Sequence, residues 1–126
     1  MFNKLVRDKI VEHQLKTGAT PKFRKLNKQE HQNQLVLKLI EEAKEVLEAK
    51  DKDIVAEIAD VKQVLDDLIE QHNIALSDIS HAQKLKNQKH GAFKKGIYID
   101  YIDIEEDDPF TDYYRSNPDR YPEVNS

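Results

Sequence analysis

The segment LVLKLIEEAKEVLEAKDKDIVAEIADVKQVLDDL, from Leu35 to Leu68, decides the fold. Before its charged break Asp51-Lys52-Asp53, apolar residues recur at spacings of three and four: Val36, Leu39, Ile40, Ala43, Val46 and Leu47. After the break the same period resumes with Ile54, Ile58, Val61, Leu65 and Leu68. That spacing places each set along one face of an α-helix. It predicts helices over about residues 28–50 and 54–72, with Asn27 as N-cap of the first. The short link favours an antiparallel pair.

Working outward, residues 2–16 read as a first helix or helical arm with Leu5, Ile10 and Leu15 apolar. Thr17-Gly18-Ala19-Thr20-Pro21 breaks it, and residues 22–26 read as a short extended piece. A fourth helix starts near Ser77, a good N-cap, and ends before Gly91. Beyond Gly91 the period changes: Ile97, Ile99 and Tyr101 alternate with Tyr98, Asp100 and Ile102, which reads as a short strand. The expected fold is mostly α, a four-helix core with a short C-terminal strand or hairpin. Residues 105–126 form an acidic tail with Pro109, Pro118, Pro122, Tyr113, Tyr114 and Tyr121. The residues leave open whether that tail is disordered or docked through its aromatics.

Composition narrows the function class. The 126 residues fit one domain. Charged residues nearly match hydrophobic ones, 35% against 38%, which suits amphipathic helices that complete their core in a homo-oligomer. With no cysteine, disulfide frameworks and thiolate metal sites are excluded. The N-terminus has no apolar signal-peptide core, and no apolar run reaches the roughly 20 residues that span a bilayer. A cytoplasmic protein without a membrane partner is expected. A net charge of −4 argues against general nucleic-acid binding, which needs a basic footprint.

Acidic residues then carry the chemistry. The first long helix holds Glu41-Glu42-Ala43-Lys44-Glu45 and the next holds Glu57-Ile58-Ala59-Asp60. At 100° per residue, Glu42 and Glu45 lie roughly 60° apart on one helix surface, and so do Glu57 and Asp60. Glu57 and Glu42 project beside the apolar stripes, so in an antiparallel pair these edges face each other. Glu42, Glu45, Glu57 and Asp60 then line one partly desolvated pocket, where unpaired charge is costly unless it coordinates metal. An all-oxygen donor set suits magnesium or manganese. No histidine stands three residues after a Glu, which disfavours a di-iron bundle. Taken singly, each acidic motif is more often a solvated helix face, and it is their succession on adjacent helices that points to metal.

Glu-Glu-x-x-Glu, a short gap, then Glu-x-x-Asp resembles the MazG-like all-α nucleoside triphosphate pyrophosphohydrolases. The opening Asn3-Lys4-Leu5-Val6-Arg7-Asp8-Lys9-Ile10 resembles the start of their phosphoribosyl-ATP pyrophosphohydrolase-like branch. Lys86 followed by His90-Gly91-Ala92-Phe93 resembles that branch's Lys-x-x-x-Arg-Gly-Gly-Phe segment. The likeness covers about residues 2–104, which sets a domain of 1–104 and a tail of 105–126. It implies magnesium-dependent cleavage of a nucleotide between the α and β phosphates, in a homodimer or homotetramer. It also implies that Glu42, Glu45, Glu57 and Asp60 hold the metal and that Glu41 orients or deprotonates the attacking water. Arg7, Lys9 and Lys86 are then candidates to clamp phosphates, Asp8 to contact the sugar or metal shell, and Phe93 to stack on a base. His90 stands where the branch has Arg and Ala92 where it has a second Gly, which puts a phosphate contact at residue 90 in doubt. The alternative is a non-catalytic helical interaction module with solvated acidic faces.

Overall fold

The structure, a computed structural model, describes residues 3–123. The expected start of the first helix at Phe2 and the last three tail residues lie outside the described residues. The chain divides into two compact units, Met1–Gln88 and Lys89–Ser126. The first contains α1 (Ile10–Lys16), α2 (Lys28–Glu48), α3 (Ile54–Gln71) and nearly all of α4 (Leu76–His90); the second contains α5 (Thr111–Arg115).

In the first unit the long helices start and stop for local reasons. Asn27 caps α2, its side chain accepting from the Glu30 N–H at 2.9 Å while its own backbone stays extended. Past Glu48 the chain turns extended, makes one 3-10 turn over Asp51–Asp53, and enters α3. The C-terminus of α3 closes with Asn73 in the left-handed region, φ 54°. Ile74 N–H bonds to Ile69 C=O and Asn73 N–H to Glu70 C=O, the paired bonds of a Schellman motif. Gly18 ends α1 in the same way, at φ 87°.

α2 and α3 pack against each other and run antiparallel. Gln32 near the start of α2 donates to the Gln71 C=O at the end of α3 (2.9 Å), while Glu42 meets Glu57 and Asp60 nearer the connecting turn. Leu35 and Val64, 3% and 8% exposed, are the buried hydrophobic residues among those described. The outer part of the predicted core stripe is exposed, including Val36, Ile40 and Leu47 on α2 and Ile58 and Leu65 on α3. One helix–helix seam is narrower than the apolar face each helix presents. α1 and α4 contribute no buried residue.

Three expectations are corrected. The first helix begins at Ile10 and not near residue 2; Leu5, Ile10 and Leu15 are five apart, a spacing with no helical period. α4 begins at Leu76, so Ser77 lies inside it and is not the cap. Residues 97–102 are not a strand, and no strand occurs among the described residues. The alternation is present, but a ladder needs a second strand, and none stands beside it among the described residues.

The second unit orders much of the tail. Thr111 is buried, and its hydroxyl donates to the Glu105 C=O at 2.8 Å. The Asp108 carboxylate accepts from the Phe110 N–H at 2.8 Å, just ahead of α5. Arg115 forks onto Glu106 (2.6 and 2.8 Å) and reaches Glu123 (3.1 Å). Tyr113, Tyr114 and Tyr121 pack with ring centroids 4.8–5.7 Å apart. No described helix is long and apolar enough to cross a membrane.

Candidate metal centre

Antiparallel pairing of α2 and α3 brings Glu42 from one helix beside Glu57 and Asp60 from the other. One carboxylate oxygen from each lies within 4.8 Å of the other two, and all three residues are half-buried. Opposite oxygens around a magnesium ion stand about 4.2 Å apart, twice the usual Mg–O distance. The triad lies near that span, so one cation could reach all three carboxylates with small side-chain movements, and its donors are of the hard type that magnesium and manganese prefer.

Glu57 takes most of the strain of this arrangement. Partial burial, followed by the charges of Glu45, Asp60, Glu42 and Asp53, pushes its carboxyl above the usual range. It has no ion-pair partner among the described residues. Its neighbours do: Arg7 donates to Asp60 at 2.6 Å, and Lys38 lies 3.4 Å from Glu42.

Glu41 is on α2 but outside the triad. Lys4 donates to one of its oxygens at 2.9 Å and Lys38 to the other at 3.3 Å. The Lys4 contact, followed by that of Lys38, outweighs desolvation and holds Glu41 below the usual carboxylate range. The segment ahead of α1 is thereby pinned to both long helices, Lys4 to α2 and Arg7 to α3.

Three of the four expected metal ligands thus converge: Glu42, Glu57 and Asp60. Glu45 is exposed and outside the triad, though close enough for its charge to act on Glu57. Of the expected substrate contacts, Arg7 is at the cluster. Asp8 and Lys9 are exposed in the turn before α1, and Lys86 is exposed on α4 with no ion pair among the described residues. Phe93, in the second unit, is fully exposed. His90 is the last residue of α4, where an imidazolium would favour the negative end of the helix dipole.

Sequence reasoning missed the roles of Lys38 and Lys4. The first had a local signal, since Lys38 precedes Glu42 by one helical turn. The second had none, because Lys4 and Glu41 are 37 residues apart. No protein-family model, no curated protein and no solved structure matches the chain.

Proposed function

We propose that the chain is a metal-dependent nucleotide pyrophosphohydrolase, and that the convergence of Glu42, Glu57 and Asp60 is the observation that carries this reading. Glu42, Glu57 and Asp60 hold magnesium or manganese, with Glu45 joining by a side-chain rotation. The bound ion supplies charge neutralisation at the phosphates and a more acidic water. The residues around it divide the remaining work. Glu41, kept ionised by Lys4 and Lys38, accepts a hydrogen bond or a proton from the attacking water. Water adds across the α–β phosphoanhydride; the bridging oxygen leaves with pyrophosphate and the nucleoside monophosphate remains. Arg7, freed from Asp60 as the carboxylate turns to the cation, offers a forked contact to phosphate. Lys9 and Lys86 are further candidates for that clamp, and Asp8 for the sugar. The exposed apolar residues of α2 and α3 support a dimer or tetramer that completes the core.

The second reading is a helical interaction module without catalysis. It is favoured by Arg7 and Lys38, which already neutralise two of the three carboxylates.

The deciding experiment measures pyrophosphate release from a panel of canonical and modified nucleoside triphosphates, with magnesium, with manganese and with EDTA. Glu57→Gln runs alongside. Metal-dependent release that disappears in the variant is expected. Folded protein that releases nothing and gains no thermal stability from either metal would remove the enzyme reading and leave the module.

A further inference from the structure

The second unit contains a run of backbone with no hydrogen-bond partner among the described residues. The Gly96 N–H closes a turn onto the Phe93 C=O, and the Glu105 C=O accepts from the Asp108 N–H and the Thr111 hydroxyl. Between these points residues 97–104 make no backbone hydrogen bond among the described residues. The same run exposes Ile97, Tyr98, Ile99, Tyr101 and Ile102. Unpaired N–H and C=O groups flanked by exposed apolar side chains form an open template for strand pairing.

What pairs with it follows from the charge pattern. Residues of one parity read Lys95, Ile97, Ile99, Tyr101, Asp103, which is positive at one end, apolar in the middle and negative at the other. Such a row is complementary to its own reverse. We propose that residues 97–101 pair antiparallel with the same residues of a second copy of this chain, about a two-fold axis through Ile99.

In that register Ile99 faces its own copy, Ile97 faces Tyr101, and Lys95 beyond one end of the ladder faces Asp103 beyond the other. Cross-strand apolar and opposite-charge pairs of this kind stabilise antiparallel ladders. Nearby registers lose the match. Moving the axis half a residue sets either Ile99 or Ile97 against Asp100. Moving it one residue onward opposes Asp100 to itself, and like charges directly opposite are destabilising. The other face, with Tyr98 against Asp100, stays in water. The contact is isologous and closes at two copies. A lone two-stranded ribbon is marginal in water, so the association is weak and rises with concentration. The inference is independent of the catalytic reading.

A chain without cysteine offers a clean test. Ile99→Cys replaces a side chain that is 68% exposed, so the fold of each copy is undisturbed. The axis brings residue 99 within disulfide reach of its copy. Tyr101→Cys, 67% exposed, is the control, since its copy lies four residues along the partner strand, about 13 Å away. With mild oxidant and full-length protein, Ile99→Cys should form covalent dimer at least ~10-fold faster than Tyr101→Cys, and denaturant should abolish the difference. Adding Asp103→Lys should slow trapping, and adding Lys95→Asp to that variant should restore it. Equal trapping at 99 and 101 would overturn the proposal, as would charge reversal that leaves trapping unchanged.

Discussion

Glu57 is crowded by carboxylates and has no cationic partner among the described residues, whereas Glu41 one helix away has two. These opposite surroundings give opposite pH signatures. Because the folded-state pKa of Glu57 is raised, the folded chain holds that proton more tightly than the unfolded one, and the ionised carboxylate weakens the fold at neutral pH. Glu57→Gln should therefore raise the melting temperature of metal-free protein at pH 7. The gain should shrink as pH falls through Glu57's raised pKa toward the ordinary carboxylate value. Glu41 runs the other way: its stabilisation is present above the ordinary carboxylate value and lost as pH falls through its lowered one. Glu41→Gln should lower the melting temperature at pH 7 and converge with the parent in acid. Melting curves of the three proteins across pH check both signs. On the proposed catalytic reading magnesium should reverse the gain, because Glu57→Gln would remove a ligand, and metal-dependent turnover should fall at least ~100-fold. On the same proposed reading Arg7 would compete with the cation for Asp60, and its side chain is largely in water. Arg7→Ala should tighten metal binding by no more than about fivefold, measured by titration calorimetry, while slowing turnover.

The elements record how far a linear pattern reaches. α2 and α3 were legible because their apolar residues keep a 3.6 period and Asn27 stands where a cap is needed. Asn27→Ala should destabilise the chain by about 1 kcal/mol in urea denaturation. Metal affinity should be unchanged, because residue 27 lies about 22 Å along α2 from Glu42. Glu42, Glu57 and Asp60 were legible from the edges of those same stripes. Glu45 was expected to join them, but it stands about 60° further round the helix and points into water. The pinning of Glu41 by Lys4 was invisible, since no local spacing encodes a contact between distant segments. The predicted strand failed for a different reason: residues 97–102 carry the alternation, and no second strand stands beside them among the described residues.

At the scale of the whole molecule, the two buried hydrophobic residues among those described make a small interior for a chain of this length. Apolar side chains along α2, α3 and α4 remain open to other copies. Association through these faces, through residues 97–101 or through both should stabilise the folded form by mass action. The melting temperature should then rise with protein concentration, and light scattering on the same samples should show the larger species. A melting temperature that is flat across a hundredfold range of concentration would argue for a chain that stands alone.

The narrow seam between α2 and α3 also has a calorimetric consequence. The heat-capacity increment of unfolding and the denaturant m-value both scale with the surface newly exposed to water. A dilute, unassociated chain that hides little surface should unfold with an increment below the usual ~12–15 cal/mol/K per residue and with a shallow m-value. Its stability curve should be correspondingly flat, so cooling and warming by a few degrees change the folded population little.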